Sequence, residues 1–225
     1  MHLDFMIIPK ISSKLAEEIG WHIGDGSMNF YKQENKLRGL YQLRGHIEDD
    51  RQHYIKRVKP LFESVYNMKI KLREMPSTRV FGFQIWNNDL VEFKQKLGLP
   101  LGKKLDIIIP KLFLTNNKLK AVVIRGIFDT DGGIYLEKKN NKIYLRVYIK
   151  TICPTLARQL QEVFKELNLR ATLYSQISNR EDKRKRIFTI TIRGEQEFHK
   201  FMKIISPKNP KHIRKYNLFI NKNLK

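Results

Sequence analysis

Cysteine is almost missing from this chain: Cys153 stands alone among 225 residues. One cysteine cannot build an internal disulfide framework, and its near absence suits a reducing compartment. No Cys/His cluster has the spacing of a zinc site. No apolar run reaches the roughly 18 residues of a membrane-spanning helix, and the N-terminus lacks a secretory pattern. Acidic residues are scarce too, 22 against 44 lysines and arginines, leaving a formal charge of +22. Such an excess points to a polyanion, nucleic acid ahead of an anionic membrane. It falls mostly after residue 100, so the second half is expected to supply most of the phosphate grip. The length permits a substantial core in one or two domains.

What the chain does have, twice, is a helical run that closes on Asp-Gly. The clearer copy is VIRGIFDTDGG, Val123 to Gly133; a degenerate one is EEIGWHIGDGS, Glu17 to Ser27. Aligning Gly20 with Gly126 also aligns Asp25 with Asp131, an offset of 106 residues, about half the chain. That spacing indicates a duplicated unit. Ala16, Gly20 and Gly24 share one helix face, as do Val122, Gly126 and Thr130. Glycine inside a helix costs roughly 1 kcal/mol against alanine, so a stripe of small residues needs a reason. Close packing of the two helices on each other supplies one. It would bring Asp25 and Asp131 together at two helix C-termini, where the macrodipole already disfavours negative charge. A divalent cation with oxygen ligands, Mg²⁺ foremost, answers that repulsion.

These stretches resemble the motifs of the LAGLIDADG homing endonucleases, of the single-chain, two-motif kind encoded in archaeal introns. Ile124 to Gly132 keeps Gly126, Asp129, Asp131 and Gly132. Glu18 to Gly26 keeps Gly20, Asp25 and Gly26 but has Ile23 where the family often has an acid, and a polar His22 within the helix.

The order of elements around both motifs agrees with that resemblance and is readable without it. Each half reads αββαββα, an α+β unit with a four-stranded antiparallel sheet. In the first half, strands are expected at Ser27–Gln33, Leu37–Arg44, Lys69–Glu74 and Arg79–Trp86. Asp49 or Asp50 is expected to cap a helix running to about Val65, and Asp89 with Glu92 makes a capping box for a short helix ended by Gly98. Residues 99–117 read as a linker between halves 1–98 and 118–225. Its Gly98 to Lys104 stretch is no phosphate loop, because the glycine spacing is one residue short and no Ser or Thr follows the lysine. In the second half, helix 118–130 leads to strands at Ile134–Lys139 and Lys142–Lys150, the cleanest period-two pattern in the chain. A helix at 154–167 and strands near Arg170–Gln176 and Arg186–Arg193 follow, then Glu195 to Ile205 and a terminal helix. The loop from Ser178 to Arg186 is dense in basic residues.

A sheet with one apolar face buries it against helices and leaves the other for a ligand. In the first half the free face is expected to carry Asn29, Tyr31, Gln33, Arg38, Gln42, Arg44, Arg73, Arg79 and Gln84. In the second it is expected to carry Tyr135, Glu137, Lys139, Lys142, Tyr144, Arg146, Tyr148, Arg170, Tyr174 and Gln176. Arg180, Arg184, Arg186, Thr189, Thr191 and Arg193 complete that set. These residue types read base edges and hold phosphates.

The resemblance implies a saddle over long double-stranded DNA, with both carboxylates over the minor groove. It implies a monomer, without an obligate protein partner, that recognises a non-palindromic site. It also implies Mg²⁺-dependent hydrolysis in which each aspartate serves one strand and the cuts leave 3′ overhangs. Mn²⁺ could substitute, and Ca²⁺ could bind without supporting cleavage. Backbone carbonyls of Gly24 and Thr130 are expected as further metal ligands, and Lys150 and His46 as basic residues near the two sites. An intracellular, cytoplasmic setting is expected, with an organellar one open. Two other readings share the charge: a non-cleaving DNA-binding regulator or RNA-binding intron maturase of the same fold, and a ribosome-associated or other RNA-binding protein.

Overall fold

The computed structural model describes residues 6–139, 142–177 and 186–223. Helix α1 (Ser13–Asp25) begins at Ser12, whose hydroxyl accepts from the Leu15 amide, and α5 (Asn117–Asp131) begins at Asn116, which accepts from Leu119. Both N-caps satisfy amides that the first helical turn leaves without partners. The two helices meet at their glycines. A Cβ added at Gly20 would sit 2.3 Å from the Val123 carbonyl oxygen, and one at Gly126 would sit 2.3 Å from that of Glu17. The contact is near-symmetric and backbone against backbone, so only glycine fits it.

Around this pair the chain lays down two sheets. Strands β1 (Gly26–Gln33), β2 (Lys36–His46), β3 (Arg73–Met75) and β4 (Val80–Trp86) form the first, in the order β1-β2-β4-β3. Strands β5 (Gly132–Lys139), β6 (Lys142–Thr151), β7 (Ala171–Ile177) and β8 (Arg186–Arg193) form the second, in the order β5-β6-β8-β7. All pairings are antiparallel, and each β1- or β5-type strand leaves its helix directly at a glycine. Met28, Tyr41, Leu43, Phe81 and Phe83 fill the core on one side; Leu145, Val147, Ile149, Ile190 and Ile192 do so on the other. Helices α4 (Asn88–Lys96), α6 (Pro154–Glu166), α7 (Glu195–Ile204) and α8 (Pro210–Asn223) complete the two halves. No described helix is long and apolar enough to cross a membrane.

Charged groups inside the first half are matched. Glu18, fully buried, accepts from Lys94 Nζ at 2.7 Å and from the hydroxyls of Tyr41 and Tyr66 at 3.0 and 2.6 Å. Glu17 accepts a two-pronged bond from Arg57 at 2.9 and 2.7 Å, with Arg125 of α5 at 3.6 Å. Burying a carboxylate is costly unless its oxygens are satisfied in this way.

Local details differ from the sequence reading. The stretch Lys69–Leu72 is not a strand: the Ile70 amide donates to Glu63 and its carbonyl accepts from Lys59, so side chains satisfy the backbone. The helix after Asp50 is not uniform. It runs as a short α2 (Arg51–His53), a π turn (Tyr54–Val58) and α3 (Lys59–Tyr66). Pro60 explains the widened turn, since its missing N–H and its ring cannot enter a regular α ladder. Asp50 precedes α2 without capping it. The cap of α4 is Asn87, accepting from Leu90 at 2.7 Å, rather than Asp89. Arg79 lies in a left-handed turn before β4 (φ 54), and Arg170 precedes β7.

Candidate active site

Asp25 and Asp131 are the last residues of α1 and α5, so the glycine contact delivers both to one place. A methyl added at Gly24 would lie 3.4 Å from the Asp131 carboxyl carbon, which shows how closely the second motif abuts the first. Burial, then repulsion from Asp131 and Asp50, pushes Asp25 up to about 8. Burial raises Asp131 too, against the pull of Lys104 and Lys211. Of the two residues Asp131 is the more exposed. Two carboxyls whose charge burial penalises, at two helix C-termini, form a site that favours a bound cation.

Two lysines stand at this site, neither singled out from the sequence. The ammonium of Lys104 bonds the carbonyls of Ile23 (2.9 Å), His22 (3.4 Å) and Gly24, capping the C-terminus of α1. The Gly24 carbonyl, expected as a metal ligand, therefore accepts from an ammonium. Lys211 Nζ lies 2.7 Å from buried Asp50 Oδ1. The two lysines are 107 residues apart, nearly the spacing of the aspartates, and each follows the last αββαββα helix of its half. That echo of the duplication was the signal available in the sequence. Gly102, just before Lys103 and Lys104, donates its amide to Met28 O at 2.8 Å, so the glycine-lysine stretch is a packed connector.

The surroundings of the two carboxyls differ. Tyr54, in the π turn, donates to Asp25 Oδ2 at 3.2 Å. Asp50 also accepts from the His46 amide (2.9 Å) and from Asn209 (2.7 Å), and Asn209 in turn donates to the Asp129 carbonyl. Asp129 accepts the amides of Lys208 and Asn209, so this second-half acid organises the approach to α8; burial still pushes it up to about 7. His46, expected beside Asp25, turns Nδ1 to the amides of Glu48 and Asp49. No hydrogen bond or ion pair joins it to Asp25 among the described residues. On the other side, a cleft of about 480 Å³ includes Asp131 in its lining, together with Gly24, Lys104, Lys150, Ile23, Leu105 and Ile152. Lys150 is exposed and stands 5.1 Å over the Tyr148 ring, which itself covers Gly133. A larger groove of about 630 Å³ near α6 contains none of these groups.

The donor set suits a hard cation. Among the described residues no three His, Cys, Asp or Glu side chains cluster to hold a metal. Two carboxylates and backbone carbonyls are what Mg²⁺ uses when phosphate and water complete its shell. The Thr130 hydroxyl is spent on the Gly126 and Ile127 carbonyls, so the Thr130 backbone oxygen is the group to consider there.

Above the carboxyls spread the free sheet faces. Cross-strand rows place Gln42 with Gln84, Arg44 with Arg73 through Gly82, and Asn29 beside Leu40; Tyr31, Gln33 and Arg38 extend the face outward. Arg44 donates to Gln84 at 2.7 Å. In the second half, Arg146 aligns with Tyr135 and Arg193, Tyr144 with Glu137, and Lys150 with Tyr174 through Thr189. Gln176 and Arg186 are exposed at the far end. Arg146 pairs with Glu137, so these two expected DNA contacts engage each other. Thr189 and Thr191 lie on this face by register but are only 1% and 3% exposed, beneath their neighbours rather than on the surface. Arg170 reaches Glu197 of α7 at 3.4 Å, towards the helices. Arg180 and Arg184 lie outside the described residues, as do the side chains of Lys139 and Lys142.

Residues 118–206 match the family model of the LAGLIDADG-like domain. Among curated proteins, the chain is 30% identical over 213 residues to a replication factor C small subunit of Methanocaldococcus jannaschii, spanning 88% of this chain and 10% of that protein. It is 23% identical over 211 residues to a glutamine–fructose-6-phosphate aminotransferase of the same organism, spanning 93% and 18%. The chain thus spans less than a fifth of the curated relatives it matches. Among solved structures it resembles the homing endonuclease I-DmoI in complex with DNA and Mn, with a TM-score of 0.63 and 18% identity over 88% of this chain and 99% of that one. It also resembles the LAGLIDADG homing endonuclease I-GzeII in complex with its DNA target, with a TM-score of 0.56 and 11% identity over 91% and 87%. These structural likenesses concern the fold.

Proposed function

Residues 118–206 are a LAGLIDADG-like domain in a chain that has the two-motif LAGLIDADG fold, and from that premise we propose that the protein is a site-specific, divalent-metal-dependent double-strand DNA endonuclease. The observation that carries the reading is the pair Asp25 and Asp131, held together by the glycine contact, with Lys104 and Lys211 close enough to pull on both carboxyls. Two halves, 1–98 and 118–225, joined through 99–117, would each lay a basic sheet along the duplex. Because their faces differ in sequence, the target is non-palindromic and one chain suffices. Asp25 and Asp131 would hold the ion, with the Thr130 carbonyl as a further donor and Gly24 once Lys104 withdraws. Bound there, a divalent ion supplies Lewis-acid polarisation of the phosphate and a more acidic water. Lys104 and Lys150 line the cleft beside Asp131 and would neutralise charge on one scissile phosphate; Lys211, steadied by Asp50, would do so for the other. The two cuts would be staggered.

The two curated relatives carry unrelated names yet share the same stretch with this chain, so we assign neither clamp loading nor aminotransfer to it. One alternative has a specific observation behind it: Lys104 bonded to the Gly24 carbonyl would suit a relative that binds DNA without cutting. Incubating the protein with a plasmid library of randomised sites decides between them. Endonuclease action requires Mg²⁺-dependent linear product with a common sequence at the break. Sequence-specific retention without any break would establish the non-cleaving role instead.

A further inference from the structure

We propose that the outer part of the first half's sheet contains a subsite for one A·T base pair, recognised by the methyl group of its thymine. The proposal rests on the duplex-DNA reading above. Register aligns Asn29 with Leu40 and Leu40 with Trp86, so an amide, an aliphatic side chain and an indole form one row across three strands on the free face. Tyr31, two residues beyond Asn29 on the same face, meets Trp86 edge to face, with ring centroids 6.0 Å apart and planes at 72°. Both rings are about half exposed, 47% and 48%, on a face otherwise given to arginine and amide groups.

Beside them lies a niche of about 80 Å³ bounded in part by Asn29, Tyr31, Leu40 and Gln42. A water molecule takes roughly 30 Å³ of liquid, so the niche is too small for a base and roomy enough for a methyl group. In the major groove an A·T pair presents the adenine N7 acceptor and N6 donor, then the thymine O4 acceptor and C5-methyl group. Asn29 Oδ1 accepts from the Phe30 amide at 2.9 Å, which leaves its NH2 group to donate to adenine N7 or thymine O4, while the Gln42 amide can face the adenine N6 donor. Leu40 and Tyr31 line the niche and match the methyl, with Trp86 flanking Leu40 from the next strand. A cytosine at this place would bring an amino donor and no methyl against Leu40. Arg38, paired in register with Tyr31, continues the patch into the basic face that would hold the backbone.

The test uses the full chain in Ca²⁺, selecting from a pool of random duplex DNA, followed by binding of the selected duplex with single thymines replaced by deoxyuridine. One thymine should resist variation, and deoxyuridine there should weaken wild-type binding about fourfold, the equivalent of roughly 0.8 kcal/mol for one buried methyl group. Trp86→Ala and Tyr31→Ala change exposed side chains; each should relax selection at that position and bind the thymine and uridine duplexes alike. Wild-type affinity indifferent to every deoxyuridine, or variants as sensitive as wild type, would overturn the subsite while leaving the DNA reading intact. A pool from which no sequence is enriched would overturn the DNA reading itself, and the subsite with it.

Discussion

Asp25 is surrounded by groups that make its charge expensive in the metal-free protein: burial, the carboxyls of Asp131 and Asp50, and the end of α1. Its folded value of about 8 lies above the ordinary 3.8. Between those two values the folded chain keeps a proton that the unfolded chain has released, so stability falls as pH rises through that window. Asp129, at about 7, acts in the same direction. The melting temperature of the metal-free protein should therefore fall from about pH 4 to about pH 8 and level off above it. Asp25→Asn should flatten the drop and stabilise the protein by about 1–3 kcal/mol near pH 8, a figure discounted for residual solvent access. An unchanged pH profile in that variant would place the cost elsewhere. The lysines make a kinetic prediction: Lys104→Met should slow one strand's cut by about 10²-fold or more and accumulate nicked circles on a supercoiled target. Lys211→Met should do the same to the opposite strand, as strand-labelled substrates would show. Both aspartates were legible from the repeated Asp-Gly. Lys104, Lys211 and Tyr54 were not, because a connector, the approach to α8 and a proline-widened turn bring them in over long sequence distances. The position of His46 at the end of β2 is visible in the sequence, but the local turn whose amides take up its Nδ1 is not.

At the scale of elements, the α1–α5 contact is the part most open to direct trial. Gly126→Ala would force a methyl against the Glu17 carbonyl, and a backbone atom held in a helix cannot give way cheaply. The expected cost is about 2–4 kcal/mol, above the usual range for overpacking because both partners are main chain. Chemical denaturation reads it, and a cost below about 0.5 kcal/mol would mean the helices can separate there. This contact was legible as a stripe of small residues in each motif. The strands were legible where alternation was strict, as in β6, whose Leu145, Val147 and Ile149 are buried. They were less so at Lys69–Leu72, where Glu63 and Lys59 supply the bonds that a ladder would have made.

For the whole molecule, a net charge of +22 must show itself as salt sensitivity. Neutralising Arg38 and Arg73 together should weaken binding to every duplex. It should also reduce the slope of log affinity against log salt by about 0.9 for each phosphate that is no longer neutralised. An unaltered slope would take these two arginines off the backbone. The duplicated architecture was readable because both halves keep the same order of elements; the second bridge between them, Asn209 linking Asp50 to Asp129 across the repeat, was not. The central claim is that one carboxylate from each half is needed for a double-strand break. The direct measurement is linearisation of a supercoiled plasmid carrying the selected target, in Mg²⁺, by wild type, Asp25→Asn and Asp131→Asn at protein levels that saturate binding. Wild type should give linear DNA, while each variant should retain the target with little loss of affinity and give no linear product. Linearisation by either variant at near wild-type rate would contradict the account.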